Sequence, residues 1–273
     1  MSSSNVSAYI PCFNNAPTVL AALDSIRRQS VAVPEVFVVD DGSTDDSAAL
    51  LEKADVRVIR MGRNMGRGAV RSRAMTESSG EIVLCCDATN VLEPRFLEKA
   101  LHWFDDTGVG AVFGRISQGR NGGVVHRWRG RHLFKTDVPR TVDRNSTLIT
   151  YGTLLRKSAV MAAGNFDPSL RHSEDAELGV RMSRLGYAIV ADPSLEVLCN
   201  TDNTLSQVLE RYWRWHAGRE EGFGPVDYLK SMWFSARTLA VCDLRKGDPL
   251  AACISLLVPH YQFWRVLSRK FCP

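Results

Sequence analysis

The stretch EVFVVDDGSTDD, Glu35–Asp46, decides the fold. Its apolar run Phe37–Val39 does not alternate with polar residues, as expected of a strand buried on both faces. The run ends in two adjacent acids, Asp40 and Asp41. Gly42 permits a tight turn. Ser43 or Thr44 can cap the helix expected over Ser47–Lys53, with Asp45 and Asp46 complementing its dipole. Turn and capping account for Gly42 to Asp46. They do not account for two acids at a strand tip, so Asp41 reads as a ligand contact suited to ribose hydroxyls or a base N–H.

Outward from this stretch the pattern repeats. VSAYI (Val6–Ile10) reads as a strand, and Thr18–Arg28 as a helix with Val19, Leu20, Leu23 and Ile26 on one face. VRVIR is a third strand, Gly66–Ser79 a helix, and EIVLCCD a fourth strand. Alternation at this interval means βαβ units, hence an α/β fold with a mostly parallel sheet flanked by helices. From Gly108 the pattern changes. GVGAVFGRIS and STLITYGTLLR are strand candidates, GRNGG a loop, and VVHRWRGRHLF a basic, aromatic, amphipathic segment. Glu174–Tyr187 reads as a helix with Gly186 as its C-cap. After Thr204 only helices are expected. The expected organisation is one α/β domain over residues 1–203 and a helical C-terminal extension over 204–273 packed on it.

Composition narrows the function. The 273 residues are 45% apolar and 23% charged, with a net charge of +4. That excess is too small to make nucleic acid the main ligand, although it suits an anionic small molecule. Seven cysteines, an odd number without a Cys-x-x-Cys pair, fit a reducing compartment. The opening MSSSNVS shows no signal-peptide pattern. The longest uncharged stretch, PLAACISLLVPHYQFW, is shorter than the roughly 18–20 residues of a spanning helix and is interrupted by Pro259. A cytoplasmic protein is expected, with peripheral contact at the inner face of a membrane as the alternative.

In an open parallel sheet, ligands bind at the carboxyl ends of the strands. Four tips converge there: PCFNN, DDGSTDD, GRNMGRG and the end of VLCCDATN at Asp87. RNMGRGAVRSR surrounds two glycines with Arg63, Arg67, Arg71 and Arg73, without phosphate-loop or Rossmann spacing. A solvated basic helix face explains it; beside acid-lined strand ends, Arg71 is the candidate for a bidentate clamp on a diphosphate. HSEDAEL sets Glu174 and Asp175 at a helix start behind Ser173, the natural N-cap. These acids are either dipole complements or a general base, and His172 either tunes them or is a loop residue. Asp87 is either a metal ligand without a second acid or a strand-end cap.

VSAYIPCFNN, VFVVDDGSTDD, RNMGRGAVRSR and GEIVLCCDA resemble, in order and spacing, the N-terminal half of family-2 glycosyltransferases. GNFDPSLRHSEDAELGVRMSRLGY resembles their acceptor-side block with its Glu-Asp motif. The match spans about residues 6 to 192. The resemblance implies the GT-A fold and inverting transfer of a sugar from a nucleotide-diphosphate donor. It places Pro11 and Phe13 in the nucleobase pocket, Asp41 on the nucleoside, Arg71 on the arginine of the third motif, Asp87 on the first acid of Asp-x-Asp, and Asp175 on the catalytic base.

The chain departs from the family where the second acid of Asp-x-Asp is Thr89, and where a histidine is expected but LEVLCNTD offers Cys199 and Asn200. Gln207, Arg211 and WRW only echo the Gln-x-x-Arg-Trp of processive synthases. A divalent cation, Mg2+ or Mn2+, is therefore expected to arrive mainly with the nucleotide, with Asp87 as its protein ligand. The alternatives are arginines carrying the phosphate charge while Asp87 meets sugar or ribose, and a nucleotide-sugar-binding scaffold without turnover. The acceptor, a glycan, lipid-linked or small-molecule hydroxyl, would be met by Gly119–Tyr151. Arg265, Arg269 and Lys270, with Trp264 and Phe271, read as a packed C-terminal helix or as an interfacial segment touching membrane.

Overall fold

The computed structural model describes residues 5–119, 122–138, 140–216 and 223–271. They form two compact units. The first is built from the chain up to Gln118 and from Arg140–Thr201; the second is built from the segment between them and the chain from Asp202 onward.

In the first unit the strands are β1 (Val6–Cys12), β2 (Glu35–Asp40), β3 (Arg57–Arg60), β4 (Ile82–Cys86), β5 (Asn90–Leu92), β6 (Val109–Gln118), β7 (Gly152–Arg156) and β8 (Ala188–Cys199). The helices between them are α1 (Val19–Arg27), α2 (Ser47–Lys53), α3 (Arg67–Glu77) and α4 (Phe96–Leu101), then, beyond residue 140, α6 (Lys157–Ala162) and α7 (Glu174–Arg184). One sheet runs in the order β3-β2-β1-β4-β7-β6-β8-β5. Its β3-β2-β1-β4 half is parallel, whereas β7 is antiparallel to both β4 and β6.

The period of two along β1 explains why the half-sheet is covered twice. Ala8 and Ile10 pack with Val19, Ala22, Leu23 and Ile26 of α1, and Tyr9 packs on the other face with Phe37, Val70, Ala74 and Leu178. Tyr9, Ile10, Phe37, Val38 and Val39 are all fully buried. This is the two-sided burial that the uninterrupted apolar run of β2 implies.

STLITYGTLLR is strand only from Gly152. The preceding residues touch β8 singly, through bridges Asp143–Ala191 and Asn145–Ile189, and the Thr150 amide is drawn to Asp175 instead of a ladder. β5, too short to show in the sequence, exists because β8 passes beside it in antiparallel register, Asn90 opposite Cys199.

The second unit is helical: α5 (Val124–Arg129), then α8 (Leu205–His216), α9 (Pro225–Phe234), α10 (Val241–Arg245) and α11 (Pro249–Phe271). Wider π-type turns continue α5 through Phe134 and join α9 to α10. The expected boundary at residues 203/204 differs from this arrangement, because the segment carrying α5 belongs with the C-terminal helices. A polar spine ties it there. Trp128 Nε1 donates to Ser255 Oγ at 2.8 Å, and Ser255 Oγ donates to Asp243 Oδ2 at 2.6 Å. Asp243, fully buried, also accepts from His132 Nε2 at 2.9 Å and from Arg131, while Arg127 grips both oxygens of Asp248. Burial holds the His132 imidazole below its ordinary pKa, against the pull of Asp243.

Pro259 does not interrupt the uncharged stretch. It lies inside α11, where its missing N–H costs one hydrogen bond without ending the helix. Among the described residues no helix is long and apolar enough to cross a membrane. Arg120 and Asn121 of the GRNGG loop, and the side chains of Arg269, Lys270 and Phe271, lie outside the described residues.

Candidate active site

The tips of β1, β2 and β4 are neighbours because those strands are. Cys12 stands opposite Asp40, and the Asp41 amide donates to the Cys12 carbonyl at 2.8 Å. The DGSTDD turn does not cap α2 through Ser43 or Thr44. Its side chains instead bind the β1–α1 loop: Ser43 Oγ accepts from Asn14 N, Asp45 Oδ2 from Ala16 N, and Ser47 Oγ from Asn15 N. Asn14 answers by accepting the Thr44 amide at 2.8 Å. Gly42 is at φ +76°, and a Cβ there would lie 2.7 Å from the Arg63 backbone, so no other residue fits the turn without displacement.

Asp41 is buried, and both of its oxygens hold the loop before α3. Oδ1 accepts from Met65 N at 2.7 Å and Oδ2 from Gly66 N at 3.0 Å. Burial pushes its carboxyl above the ordinary aspartate value, against these two amides and Arg171. Pro11 is half-buried and Phe13 is 42% exposed at the end of β1, an apolar ring on an otherwise polar rim.

Arg71 is not where a phosphate clamp would be. It is 2% exposed, and all three guanidinium nitrogens are engaged. Nε donates to Glu174 Oε1 at 2.9 Å, Nη1 to Cys85 Sγ at 2.6 Å, and Nη2 to Asp87 Oδ1 at 3.0 Å. Burial pushes the Cys85 thiol up to about 12 against the pull of Arg71, so the thiol stays neutral. Arg71 thus joins the end of β4 to the start of α7. Exposed arginines stand elsewhere in the chain: Arg63 and Arg67 before and at the start of α3, and Arg171 before α7, its Nη2 bonded to Asn64 Oδ1. Sequence reasoning missed Arg171, although it sits three residues before Glu174 in the acceptor-side block.

At the start of α7, Ser173 occupies the N-cap position with a left-handed backbone, φ +61°, and makes no side-chain capping bond. Glu174 is 1% exposed, and its Oε2 has no hydrogen-bond partner among the described residues. Asp175 is half-buried. Its Oδ2 accepts from Thr150 N and Oγ1, at 3.3 and 3.2 Å, and its Oδ1 from Ala176 N at 2.9 Å. Two carboxyl groups, Asp87 and Glu174, therefore meet at one buried guanidinium, and Asp175 follows Glu174 in the chain. His172 is exposed, its Nδ1 3.4 Å from Ser173 Oγ.

The two departures from the family pattern meet in space. Asp87 begins a turn closed by Asn90 N to Asp87 O at 2.9 Å, and the Thr89 carbonyl accepts the Asn200 amide at 2.8 Å. Where a second acid and a histidine were expected, Thr89 and Asn200 stand side by side. Among the described residues no group of three or more His, Cys, Asp or Glu could hold a metal ion. The donor set fits a cation that brings its own phosphate and water oxygens to a single carboxylate, Asp87. It does not fit one held by protein alone.

The family model described as "Glycosyl transferase family 2" matches residues 7–165. An N-acetylglucosaminyltransferase of Bradyrhizobium diazoefficiens is 35% identical over 42% of this chain and 26% of its own length. The poly-beta-1,6-N-acetyl-D-glucosamine synthase of Staphylococcus aureus is 22% identical over 78% of this chain and 54% of its own. The chain thus spans from about a quarter to about half of these relatives. Among solved structures, S. aureus TarS in complex with UDP superposes with TM-score 0.58 at 17% identity, covering 97% of this chain and 92% of that one. The mannosyltransferase PcManGT from Pyrobaculum calidifontis, in complex with GDP-Man and Mn2+, gives TM-score 0.61 at 16% identity, covering 96% and 87%. The fold is that of the GT-A glycosyltransferases, and the chain belongs to glycosyl transferase family 2.

Proposed function

We propose that the chain transfers a sugar from a nucleotide-diphosphate donor to an acceptor hydroxyl by direct in-line displacement, with inversion at the anomeric carbon. One observation carries this reading: Arg71 draws Asp87, at the tip of β4, and Glu174, beside Asp175, onto one guanidinium. A donor-side carboxylate and a candidate base thereby share one anchor. Asp175 removes the proton of the acceptor hydroxyl, oriented by the Thr150 amide and hydroxyl on its Oδ2. General-base help of this kind contributes about 10²–10⁴-fold. The half-exposed Phe13 ring, with Pro11, offers the nucleobase an apolar platform. Asp41 meets the nucleoside while its carboxylate holds the Met65–Gly66 amides.

The leaving diphosphate needs its developing charge neutralised. A divalent cation bound with the donor would supply that charge stabilisation, and Asp87 is the protein ligand it would use. Because Arg71 is consumed inside the fold, the arginines that reach the phosphates from the protein side are the exposed Arg63, Arg67 and Arg171. The acceptor is a hydroxyl of a glycan, a lipid-linked sugar or a small molecule, met by the stretch up to Tyr151. A lipid-linked acceptor would bring the C-terminal tail to a membrane.

A second reading, nucleotide-sugar binding without turnover, draws on the single-carboxylate site at Asp87, where Thr89 and Asn200 replace an acid and a histidine. Release of nucleoside diphosphate across a panel of nucleotide sugars, with wild type and Asp175→Asn, separates the two. The transferase reading expects turnover that falls by about 10²–10⁴-fold in Asp175→Asn, with donor affinity by calorimetry unchanged. Donor binding with no turnover from any sugar establishes the second.

A further inference from the structure

The helices of the second unit carry apolar surface that the described residues leave exposed. Along α11, Leu250, Cys253, Leu257, Trp264 and Leu267 are exposed, spaced by three or four residues or by their sum. That spacing keeps them on one side of the helix. Ala251, Ala252, Ile254 and Val258 occupy the buried side. Along α9, Val226, Leu229 and Trp233 are 62%, 66% and 62% exposed, while Tyr228 and Ser231 turn toward α11 to meet His260 and Gln262. A helix facing water carries polar residues on that side; these carry leucine and tryptophan.

The charge around this face is mostly positive. From Pro225 to Phe271 the sequence holds seven Lys and Arg against three Asp and no Glu. Two of the three, Asp243 and Asp248, are buried and bonded to Arg131 and Arg127. The third, Asp227, stands 3.9 Å from Lys230, whose side chain is 75% exposed; Arg265 pairs with Glu210, and Arg237 and Arg245 are exposed. The Arg237 guanidinium lies 4.1 Å over the Trp233 ring, and Arg265 lies 5.9 Å from the Trp264 ring. Exposed tryptophans paired with cations, beside leucines, are the composition that settles at a lipid headgroup boundary. A pocket of about 260 Å³, lined by Phe234, Leu239 and Val258 together with Ser231, Ser235 and Gln262, opens among the same helices. A second copy of the chain is the poorer occupant, because a self-complementary contact would set these cations against one another.

We propose that this face docks on an anionic lipid bilayer, with Leu229, Trp233, Leu257 and Trp264 entering the headgroup–acyl boundary and Lys230 and Arg237 meeting lipid phosphates. The proposal extends the tail contact of the transferase reading to α9 and makes its partner a negatively charged surface. It rests on that reading for its purpose but not for its physics.

The test is co-sedimentation of the full chain with phosphatidylglycerol or phosphatidylcholine vesicles, at low and high salt. Wild type is expected to bind phosphatidylglycerol in a salt-sensitive manner and phosphatidylcholine weakly. Lys230→Glu with Arg237→Glu should lower phosphatidylglycerol binding by about tenfold or more, and Trp233→Ala with Trp264→Ala should lower binding to both. Unchanged circular dichroism melts show that the variants fold. Binding to neither vesicle, or equal partition of wild type and both variants, overturns the proposal. So does a concentration-dependent dimer, lost in the tryptophan variant, in a protein that ignores vesicles. Turnover on a soluble acceptor, measured in parallel, keeps the readings apart. Vesicle binding with no turnover sinks the transferase reading alone, and turnover with no vesicle binding sinks the docking alone.

Discussion

Arg71 shows how far a single side chain can be from the role its sequence context suggests. RNMGRGAVRSR offers four arginines, and Arg67 and Arg71 lie one helical turn apart. Arg67 is exposed, whereas Arg71 is enclosed with Glu174 and Asp87. Removing one member of a buried ion pair costs about 3–5 kcal/mol, because the remaining charge is left in a medium that solvates it poorly. Arg71→Ala should therefore lower unfolding free energy by about that amount in urea titrations, with Arg71→Lys recovering only part of it. An exposed phosphate clamp would behave in the opposite way: near-normal stability and lost donor affinity. Asp87 shares the Arg71 guanidinium. It accepts one hydrogen bond from Arg71 and closes a turn with Asn90.

Among the elements, the loops at the strand tips are braced by one another. The turn after β2 holds the loop after β1 through Ser43, Asp45 and Ser47, and Asp41 holds the loop before α3. Asp41→Ala should leave the Met65 and Gly66 amides without their acceptor, at about 1–3 kcal/mol of stability, measured by chemical denaturation. It should also weaken nucleotide diphosphate binding in calorimetry. A stability loss with unchanged nucleotide affinity would restrict Asp41 to bracing. Gly42 belongs to the same joint, and the left-handed backbone beside Arg63 explains a glycine that looked merely permissive in the sequence. The helices over Ser47–Lys53 and from Glu174 were legible because their apolar period is local. The three-residue β5 was not, because its only reason to be a strand is β8.

Across the whole molecule, the proposed transfer ties cation to donor through charge balance. A site with one carboxylate for the ion should bind metal poorly alone and together with nucleotide cooperatively, each tightening the other by the same factor. Nucleotide titration in EDTA and in excess Mn2+ should show higher affinity with the ion. Thr89→Asp should strengthen metal binding to the free protein, and Asp87→Asn should remove the coupling. Equal wild-type affinity in both buffers, with full turnover in EDTA, would transfer the phosphate charge to Arg63, Arg67 and Arg171.

What the sequence determined by itself was the order of strands and helices through β4, the two-sided burial of β2, and the acids at the strand tips. These follow from periodicity and turn chemistry within a few residues. The tertiary structure decided which charges face each other. Arg71 and Glu174 are 103 positions apart, and the α5 segment leaves the first unit to join helices that begin more than seventy residues later. Such pairings depend on how chain segments return to one another in space, and a burial pattern read along the chain carries no record of which distant charge waits on the other side.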